Sequence, residues 1–172
     1  MNAIKVVAID PSGNFEEGKG TTGYIIFEAH ADGTYTYLNK GSLKAEDFPT
    51  RAVYHREHAK LLSGVHLAII EDFRLYNHKG TKAGVQSYSL METPRLLGVL
   101  EQMCFKRGIP IAWQMASEVM TAFSEDVLIA RGELFKVGNR YRLRSGENVN
   151  GHERSAYKHF LKWHYKNYRS DK

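Results

Sequence analysis

A chain of 172 residues with 42% hydrophobic and 25% charged residues is long enough to bury a core, and this composition excludes a disordered chain. Its 24 Lys and Arg against 19 Asp and Glu give a net charge of +5 and a pI near 9.2, which favours a polyanionic partner. The one cysteine, Cys104, excludes an internal disulfide and is typical of a reducing compartment, so we expect the protein in the cytoplasm. No apolar stretch reaches membrane-spanning length, so we expect no membrane partner. We expect one domain over residues 1–172.

The first part of the sequence predicts four strands and one helix. Residues 4–9, IKVVAI, are a β-branched apolar run typical of a buried strand, and the turn signal DPSG ends it. Two further strands, TGYIIFEAH and TYTYLNKG, flank an Asp-Gly hairpin signal, so the chain begins with an antiparallel meander. Apolar residues at helical spacing predict a helix over 47–62, and HLAII, residues 66–70, predicts the next buried strand.

The second part predicts helices that alternate with strands. We expect a helix over 94–107, a fifth strand in IPIAWQ, a short helix around 124–130, a small hairpin in KVGNRYRLR, and a last helix from about residue 152. Three antiparallel strands followed by strands that alternate with helices predict an α/β fold with a mixed sheet covered by helices on both faces.

Two of the buried strands end in acids, Asp10 after IKVVAI and Glu71 after HLAII. An acid at the carboxyl end of a buried strand lies at the edge where α/β proteins tend to bind ligands. Two neighbouring carboxylates raise each other's pKa unless a cation shares them, so the pair favours a hard divalent metal. Asp72 follows Glu71 and therefore points to the opposite face. The alternative, that each acid only caps the following turn, stays open.

The end of the sequence from residue 131 is basic and rich in aromatic residues. Such a surface suits a phosphate backbone, with aromatic rings available to stack on bases. The alternative is a solvated helix and hairpin that carry Lys and Arg. The candidate nucleic-acid contacts are Arg140, Arg142, Arg144, Lys158 and Lys162, together with Tyr76, Lys79 and Lys82 in the loop after the fourth strand.

One face of the last predicted helix has an unusual composition. His152, Ser155, Ala156 and His159 fall at i, i+3, i+4 and i+7, so they share that face. Two imidazoles, a hydroxyl and a methyl group are an unusual set for a helical face that packs in a hydrophobic core, so we assign this face to the active site. The small side chain of Ala156 would allow the helix to pack closely on the sheet. The alternative is a packed helix whose histidines meet backbone carbonyls, and we favour it for His159.

Four segments taken in order, VVAIDPSGN with GTTGYIIF, LAIIED, QMASEVM and GHERSAYKHFL, resemble the RuvC-type Holliday-junction resolvases, especially phage-encoded members. These enzymes belong to the RNase H-like nuclease superfamily. The resemblance implies a five-stranded sheet of three antiparallel and then two parallel strands. It also implies a homodimer that cuts four-way or branched DNA with two divalent ions, Mg²⁺ or Mn²⁺, in each active site.

Carried over residue by residue, the resemblance makes Asp10, Glu71 and His152 the metal ligands. Asp10 would bridge two ions, Glu71 would hold one, and His152 would complete the second position or orient the attacking water. Ser155 also matches a catalytic position, but it stands where the family has an Asp, and a neutral hydroxyl is a poor ligand for Mg²⁺. Met120 similarly stands where we expect a lysine.

Two other functions remain open. A catalytically weak or inactive junction-binding protein of the same fold would explain Ser155. A ribonuclease H would need a further helical acid, for which Glu57 and Glu92 are the candidates. For the homodimer, we expect the helix over 94–107 to form the interface, because its apolar residues spread wider than one core stripe needs. These residues are Leu96, Leu97, Val99, Leu100 and Met103.

Overall fold

The computed structural model of the protein describes residues 3–73 and 87–168, except for the side chains of residues 87–90. The elements in chain order are β1 (Ile4–Asp10), β2 (Thr21–Ala29), β3 (Tyr35–Lys44), α1 (Arg51–Lys60), β4 (Leu67–Asp72), α2 (Ser87–Arg107), β5 (Ile111–Met115), α3 (Ala116–Ala122), α4 (Glu125–Ala130), β6 (Leu134–Val137), β7 (Arg140–Leu143), β8 (Asn148–Val149) and α5 (Gly151–Tyr168). In this part of the chain no helix is both long enough and apolar enough to cross a membrane.

The main sheet has five strands in the order β3-β2-β1-β4-β5. β1 pairs antiparallel with β2, and β2 with β3, whereas β4 runs parallel to both β1 and β5. Because β1 and β4 are covered on both faces, their sequences are nearly continuous apolar runs, as buried parallel strands require. The predicted mixed α/β sheet of three antiparallel and two parallel strands is therefore confirmed.

The alternation of side chains along β1 and β4 divides the core in two. Val6 and Ala8 face the cluster that contains α5, and Ile69 of β4 faces the same way. Val7 and Ile9 face the opposite cluster, which contains residues of α2. Side chains two residues apart in a strand point to the same face. Asp10 of β1 and Glu71 of β4 therefore both point toward α5.

A buried carboxylate connects α5 to the edge of the main sheet. Glu133 accepts hydrogen bonds from the hydroxyls of Tyr35 in β3 and of Tyr157 and Tyr165 in α5, at 2.5, 3.2 and 3.1 Å. Burial raises the pKa of Tyr35 and of Tyr157, so both hydroxyls remain donors over the whole physiological pH range. These bonds hold α5 against the sheet at the end opposite to Asp10.

The second sheet is larger than the predicted hairpin. β6 and β7 form that hairpin, but the short β8 adds a third strand at Tyr141 and Arg142. A helix that we did not expect, α3, also follows β5 without a break. Neither feature carries a sequence signal of its own, because β8 has only two residues and no Gly or Pro separates β5 from α3.

The proposed dimer interface on the second predicted helix is wrong in its detail. Leu96, Leu97 and Leu100 are buried in the chain's own core with Cys104, so they cannot form a contact surface for a partner. The helix is also longer than predicted: it begins at Ser87 and contains Pro94, where we had expected it to start. The homodimer itself stays a prediction.

Candidate active site

Asp10 and Glu71 lie side by side at one edge of the main sheet. The last register pair between the parallel strands β1 and β4 is Ile9 with Ile70, and the two acids follow directly. Both point toward α5, since each is two residues beyond a side chain of the α5 cluster. Asp72 is one residue further along β4 and therefore points to the other face, as predicted. The sequence thus brings two carboxylates together, and not three.

Two histidines of α5 each bond to one of these acids. His152 Nδ1 lies 3.1 Å from Asp10 Oδ2, and His159 Nε2 lies 2.8 Å from Glu71 Oε2. The histidines are seven residues apart, which is close to two helical turns, so one helical face meets both strand ends. Their environments differ: the His152 side chain is 50% exposed and that of His159 is 1% exposed. The preference for a structural His159 that bonds to backbone carbonyls was wrong, because its partner is Glu71.

Gln114 of β5 completes the contacts of His159 and was not expected from the sequence. It is the register partner of Glu71 across β4 and β5, and its Oε1 lies 3.1 Å from His159 Nδ1. Two proton arrangements satisfy these distances: a doubly protonated imidazole that donates to both oxygens, or a Gln114 amide turned to donate its NH₂ to Nδ1. In both arrangements Glu71 accepts from Nε2, so the ring of His159 is fixed from two sides.

The pKa values in the site reflect burial and the neighbouring charges. Burial raises the pKa of Asp10; the hydrogen bond from His152 opposes this rise, and the charge of Glu71 adds to it. The same hydrogen bond to Asp10 raises the pKa of His152 against the effect of its partial burial. Two neighbouring carboxylates at one sheet edge are stabilised by positive charge, which either an imidazolium or a metal ion supplies.

Close packing at a glycine allows His152 to reach Asp10. Gly23 of β2 is the register partner of Asp10, and a Cβ built on Gly23 would lie 2.2 Å from the carbonyl carbon of His152. A side chain at position 23 would therefore push the first turn of α5 off the sheet. Ala156, one turn further along, is fully buried on the same face. The predicted role of Ala156 in close packing agrees with this position.

The first turn of α5 is closed by a reciprocal cap. The Asn150 side chain accepts from the Glu153 N–H at 2.9 Å, and Glu153 Oε2 accepts from the Asn150 N–H at 3.0 Å. Lys40 of β3 donates to the same carboxylate oxygen at 3.0 Å. Glu153 is thus engaged in the cap and points away from Asp10 and Glu71. Ser155 is half-buried between the two histidines, and its hydroxyl makes no hydrogen bond to a described residue.

A buried network fixes the turn that follows Asp10. The Tyr54 hydroxyl donates to the Ser12 carbonyl at 2.6 Å, and the Ser12 N–H donates to Thr22 Oγ1 at 2.9 Å. His58 contacts the same Thr22 hydroxyl at 2.8 Å, and burial lowers the pKa of His58 to about 4, so its ring is neutral at pH 7. The network orders the turn behind the acid, and none of its members reaches Glu71.

The acid pair partly fits a divalent ion. Carboxylate oxygens are the ligands that Mg²⁺ and Mn²⁺ prefer, and Asp10 and Glu71 offer them at one edge. Among residues 3–73 and 87–168, however, no three His, Cys, Asp or Glu side chains converge into a metal cage. Mg²⁺ is commonly held by one or two carboxylates together with waters and substrate phosphates. The described donors therefore fit an ion that is completed by substrate.

The predicted nucleic-acid contacts have different environments. Arg140 and Arg142 of β7 are exposed, as is Arg144 in the turn that follows, and Lys162 forms an ion pair with Glu118 at 2.7 Å. Lys158 is only 3% exposed and lies 2.7 Å from Glu125, so it presents no surface charge. Its assignment as a DNA contact is corrected for that reason: buried Lys158 neutralises the half-buried Glu125. Tyr76, Lys79 and Lys82 lie outside the described residues.

Two solved structures of RuvC from Thermus thermophilus resemble this chain over nearly its whole length. One, in complex with a Holliday junction substrate, is 16% identical, covers 95% of this chain and 94% of its own, and gives a TM-score of 0.61. The other is 15% identical, covers 95% of both chains and also gives a TM-score of 0.61. No family model and no curated protein matches the sequence. The two structural matches show that this chain has the RuvC fold, as its strand-end acids and last-helix motif predicted.

Proposed function

We propose that this chain is a metal-dependent endonuclease that cleaves four-way or branched DNA. The observation that carries the proposal is the pair Asp10 and Glu71, which follow neighbouring parallel strands, share one face, and each bond to a histidine of α5. The similarity to a RuvC solved with a Holliday junction supports the substrate class. The net charge of +5 supports a polyanionic partner.

The side chains have distinct roles in this proposal. Asp10, Glu71 and His152 would hold two divalent ions, Mg²⁺ or Mn²⁺, with waters and substrate phosphates completing the ligands of each ion. The chemistry that such an ion pair supplies when bound is activation of a water and stabilisation of the leaving 3′-oxygen. His152 is half exposed, so it can also hydrogen-bond to an attacking water at the solvent side of the site. His159 is buried and holds Glu71 in one orientation, which keeps that carboxylate aimed at the substrate edge.

The surface around the site provides the DNA contacts. Arg140 and Arg142 alternate along β7, so they project to one side, and exposed Arg144 follows in the next turn. We propose that all three guanidinium groups contact phosphates. Tyr76, Lys79, Lys82 and Lys162 remain proposed contacts. Two copies of the chain in a two-fold dimer would bring two active sites to a symmetric junction. The homodimer is therefore part of the proposal.

The test is cleavage of a labelled synthetic four-way junction in Mg²⁺ or Mn²⁺, with binding measured separately. We expect the parent protein to cleave, and Asp10→Asn and Glu71→Gln to lose cleavage by at least about 100-fold, because each removes a charged ligand of the ions. Binding should change little. Asp72→Asn is the matched control, since this acid adjoins Glu71 but points to the other face. An equal loss in Asp72→Asn, or a parent protein that binds but never cleaves, would contradict the proposal.

A second candidate is a junction-binding protein with weak or no cleavage, and Ser155 is the observation that favours it. The same assay separates the two, because binding without cleavage is its expected outcome. Ribonuclease H activity is less well supported. Glu92 is buried and engaged by Arg51 at 3.0 Å and by the Glu16 N–H at 3.1 Å, and Glu57 pairs with Lys60 at 2.7 Å. Neither helical acid is available to complete the site.

A further inference from the structure

The second sheet, formed by β6, β7 and β8, packs against the protein with one face only. Leu134 of β6, Leu143 of β7 and Val149 of β8 are buried in the cluster that contains α5. Because side chains alternate along a strand, the residues between and beside them point to the opposite face. We call this opposite side the outer face, and it consists of Phe135, Val137, Arg140, Arg142 and Asn148.

Two large apolar side chains of the outer face are exposed. Phe135 is 47% exposed and Val137 is 50% exposed. They are two residues apart in β6, so their side chains adjoin on the same face. Within the described part of the chain, no aromatic ring and no guanidinium stacks on the ring of Phe135. Adjoining exposed apolar side chains rimmed by polar groups are typical of an interaction surface.

The same face is positively charged. Arg142 is the register partner of Phe135, and Arg140 is that of Val137, so each apolar side chain lies beside a guanidinium. Neither arginine forms an ion pair with a residue that the structure describes. Arg142 donates from Nε to Asn148 Oδ1 at 3.1 Å, which orders its guanidinium on this face. The three strands contain no Asp or Glu, so no acid of the sheet offsets the charge of the outer face.

The pairing of apolar and cationic side chains decides which partner fits. A protein that covered the outer face would bury two guanidiniums beside its apolar contacts, which is costly unless the partner supplies acids at both positions. Each nucleotide offers both chemistries: a base that stacks on an aromatic ring and a phosphate that accepts from a guanidinium. The charge complementarity therefore favours a nucleic acid.

The ring of Phe135 further restricts the kind of DNA. In an intact duplex each base is stacked between its neighbours, so a protein meets only base edges and the backbone. In a single strand, or at a branch point where bases unstack, the faces of the bases are accessible to an aromatic side chain. A stacking contact at Phe135 therefore requires an unpaired nucleotide.

We propose that the outer face is a stacking platform for an unpaired nucleotide of the DNA, with Phe135 against the base. The inference rests on the proposed function, in which Arg140 and Arg142 contact phosphates. It adds a base contact on a different residue and a preference for unpaired over duplex DNA. Val137 extends the apolar surface on which the base lies.

The experiment measures the binding of a labelled single strand, a four-way junction and a linear duplex without divalent ions. Phe135→Ala should weaken binding of the single strand about tenfold and that of the junction at least about threefold, and change that of the duplex less than about twofold. The salt dependence should stay that of the parent protein, because no charge is removed. Phe105→Ala is the matched control, since this residue of α2 is 84% exposed, and it should leave all three affinities unchanged.

A series at position 135 separates stacking from an ordinary apolar contact. Phe135→Trp should keep the affinity for the single strand, because it keeps a flat ring, whereas Phe135→Leu should lose about as much as Phe135→Ala. Thermal unfolding verifies that each variant is folded. The proposal is overturned by an unchanged affinity of Phe135→Ala for the single strand or the junction, by an equal loss on the duplex, or by Phe135→Leu binding as tightly as the parent.

The outcome is independent of cleavage. If the parent protein binds the junction without cutting it and Phe135→Ala loses affinity as expected, the nuclease proposal fails and the platform stands. If Asp10→Asn abolishes cleavage while Phe135→Ala binds all three DNAs like the parent, the nuclease proposal stands and the platform fails. A loss of dimer mass in Phe135→Ala by light scattering would identify the outer face as a contact between two copies of the chain and would also overturn the platform.

Discussion

His159 holds Glu71 through a 2.8 Å hydrogen bond from Nε2 to Oε2, although 88 residues separate them in the chain. The other ring nitrogen contacts Gln114, which is the neighbour of Glu71 in the sheet. Gln114, His159 and Glu71 thus form a closed triangle in which each member limits the movement of the others. The carboxylate of Glu71 has its direction set before any ion or substrate arrives.

Removing His159 should therefore weaken metal binding as well as catalysis. We expect His159→Leu to lower the affinity for Mn²⁺ by about 10–100-fold, the usual effect of losing a group that orients a metal ligand. His159→Gln should recover part of the loss, because it keeps an N–H donor near Glu71. Calorimetric titration of Mn²⁺, with thermal unfolding to verify the fold, measures both. An affinity unchanged in His159→Leu would show that the triangle is only structural.

Ser155, which lies between the two histidines on the same helical face, gives a second prediction. If an acid is missing at Ser155, one metal is held weakly, and cleavage should favour Mn²⁺, which accepts an imidazole ligand more readily than Mg²⁺ does. Ser155→Asp should raise metal affinity and increase cleavage in Mg²⁺, and His152→Ala should lower both, while DNA binding stays intact. Cleavage and binding of a labelled junction are read separately. If neither variant changes cleavage, this helix is not part of the active site.

The ion pair between buried Lys158 and half-buried Glu125 predicts a pH dependence of stability. Burial alone would raise the pKa of Glu125, but hydrogen bonds from Lys158 and Arg154, at 2.7 and 2.9 Å, outweigh it and lower the pKa to about 2. Because this lies below the ordinary value of 4.5, ionised Glu125 stabilises the fold above pH 4.5, and that stabilisation is lost as the pH falls toward 2.

Glu125→Gln should accordingly lower the free energy of unfolding by about 2 kcal/mol at pH 7, and the difference from the parent should shrink toward pH 2. Urea denaturation at a series of pH values measures it. Glu101→Gln, at an exposed site on α2, is the control and should show no such trend. A difference that is constant from pH 7 to pH 2.5 would contradict the assignment of the ion pair.

The assembly can be tested without DNA. We expect light scattering at micromolar concentration to give about twice the 19.6 kDa mass of one chain. Leu100→Ala should lower the free energy of unfolding by about 2–5 kcal/mol through a core cavity, and the folded fraction should keep its mass, because Leu100 is buried within the chain. A strict monomer would remove the homodimer from the proposal.

The strands themselves and the acids at two of their ends could be predicted because they depend on local patterns. Alternation along β1 and β4 is enough to put Asp10 and Glu71 on one face once the two strands are adjacent. The face of α5 that contains His152 and His159 could likewise be predicted from the spacing of its residues, and this face contacts both acids. Those features require only the period of each element and the pairing of two neighbouring strands.

The rest of the site depends on contacts between distant segments. Gln114 gave no signal, because a single polar residue in an apolar strand has meaning only once its register with Glu71 is known. His159 could be identified as a member of a face, but its partner lies 88 residues away. Lys158 was misread because a lysine in a basic segment resembles a surface cation, and only the docking of α4 shows that Glu125 neutralises it.

The two contacts of α5 have a consequence for the newly made protein. Both acids belong to segments that leave the ribosome early, whereas His152 and His159 belong to the last described helix. A nascent chain that has reached residue 150 thus contains both carboxylates, but lacks the histidines that partner them. Under the proposed nuclease function, we expect activity to arise in one step, when α5 docks, so that chains without α5 would not cut the DNA of the cell that makes them.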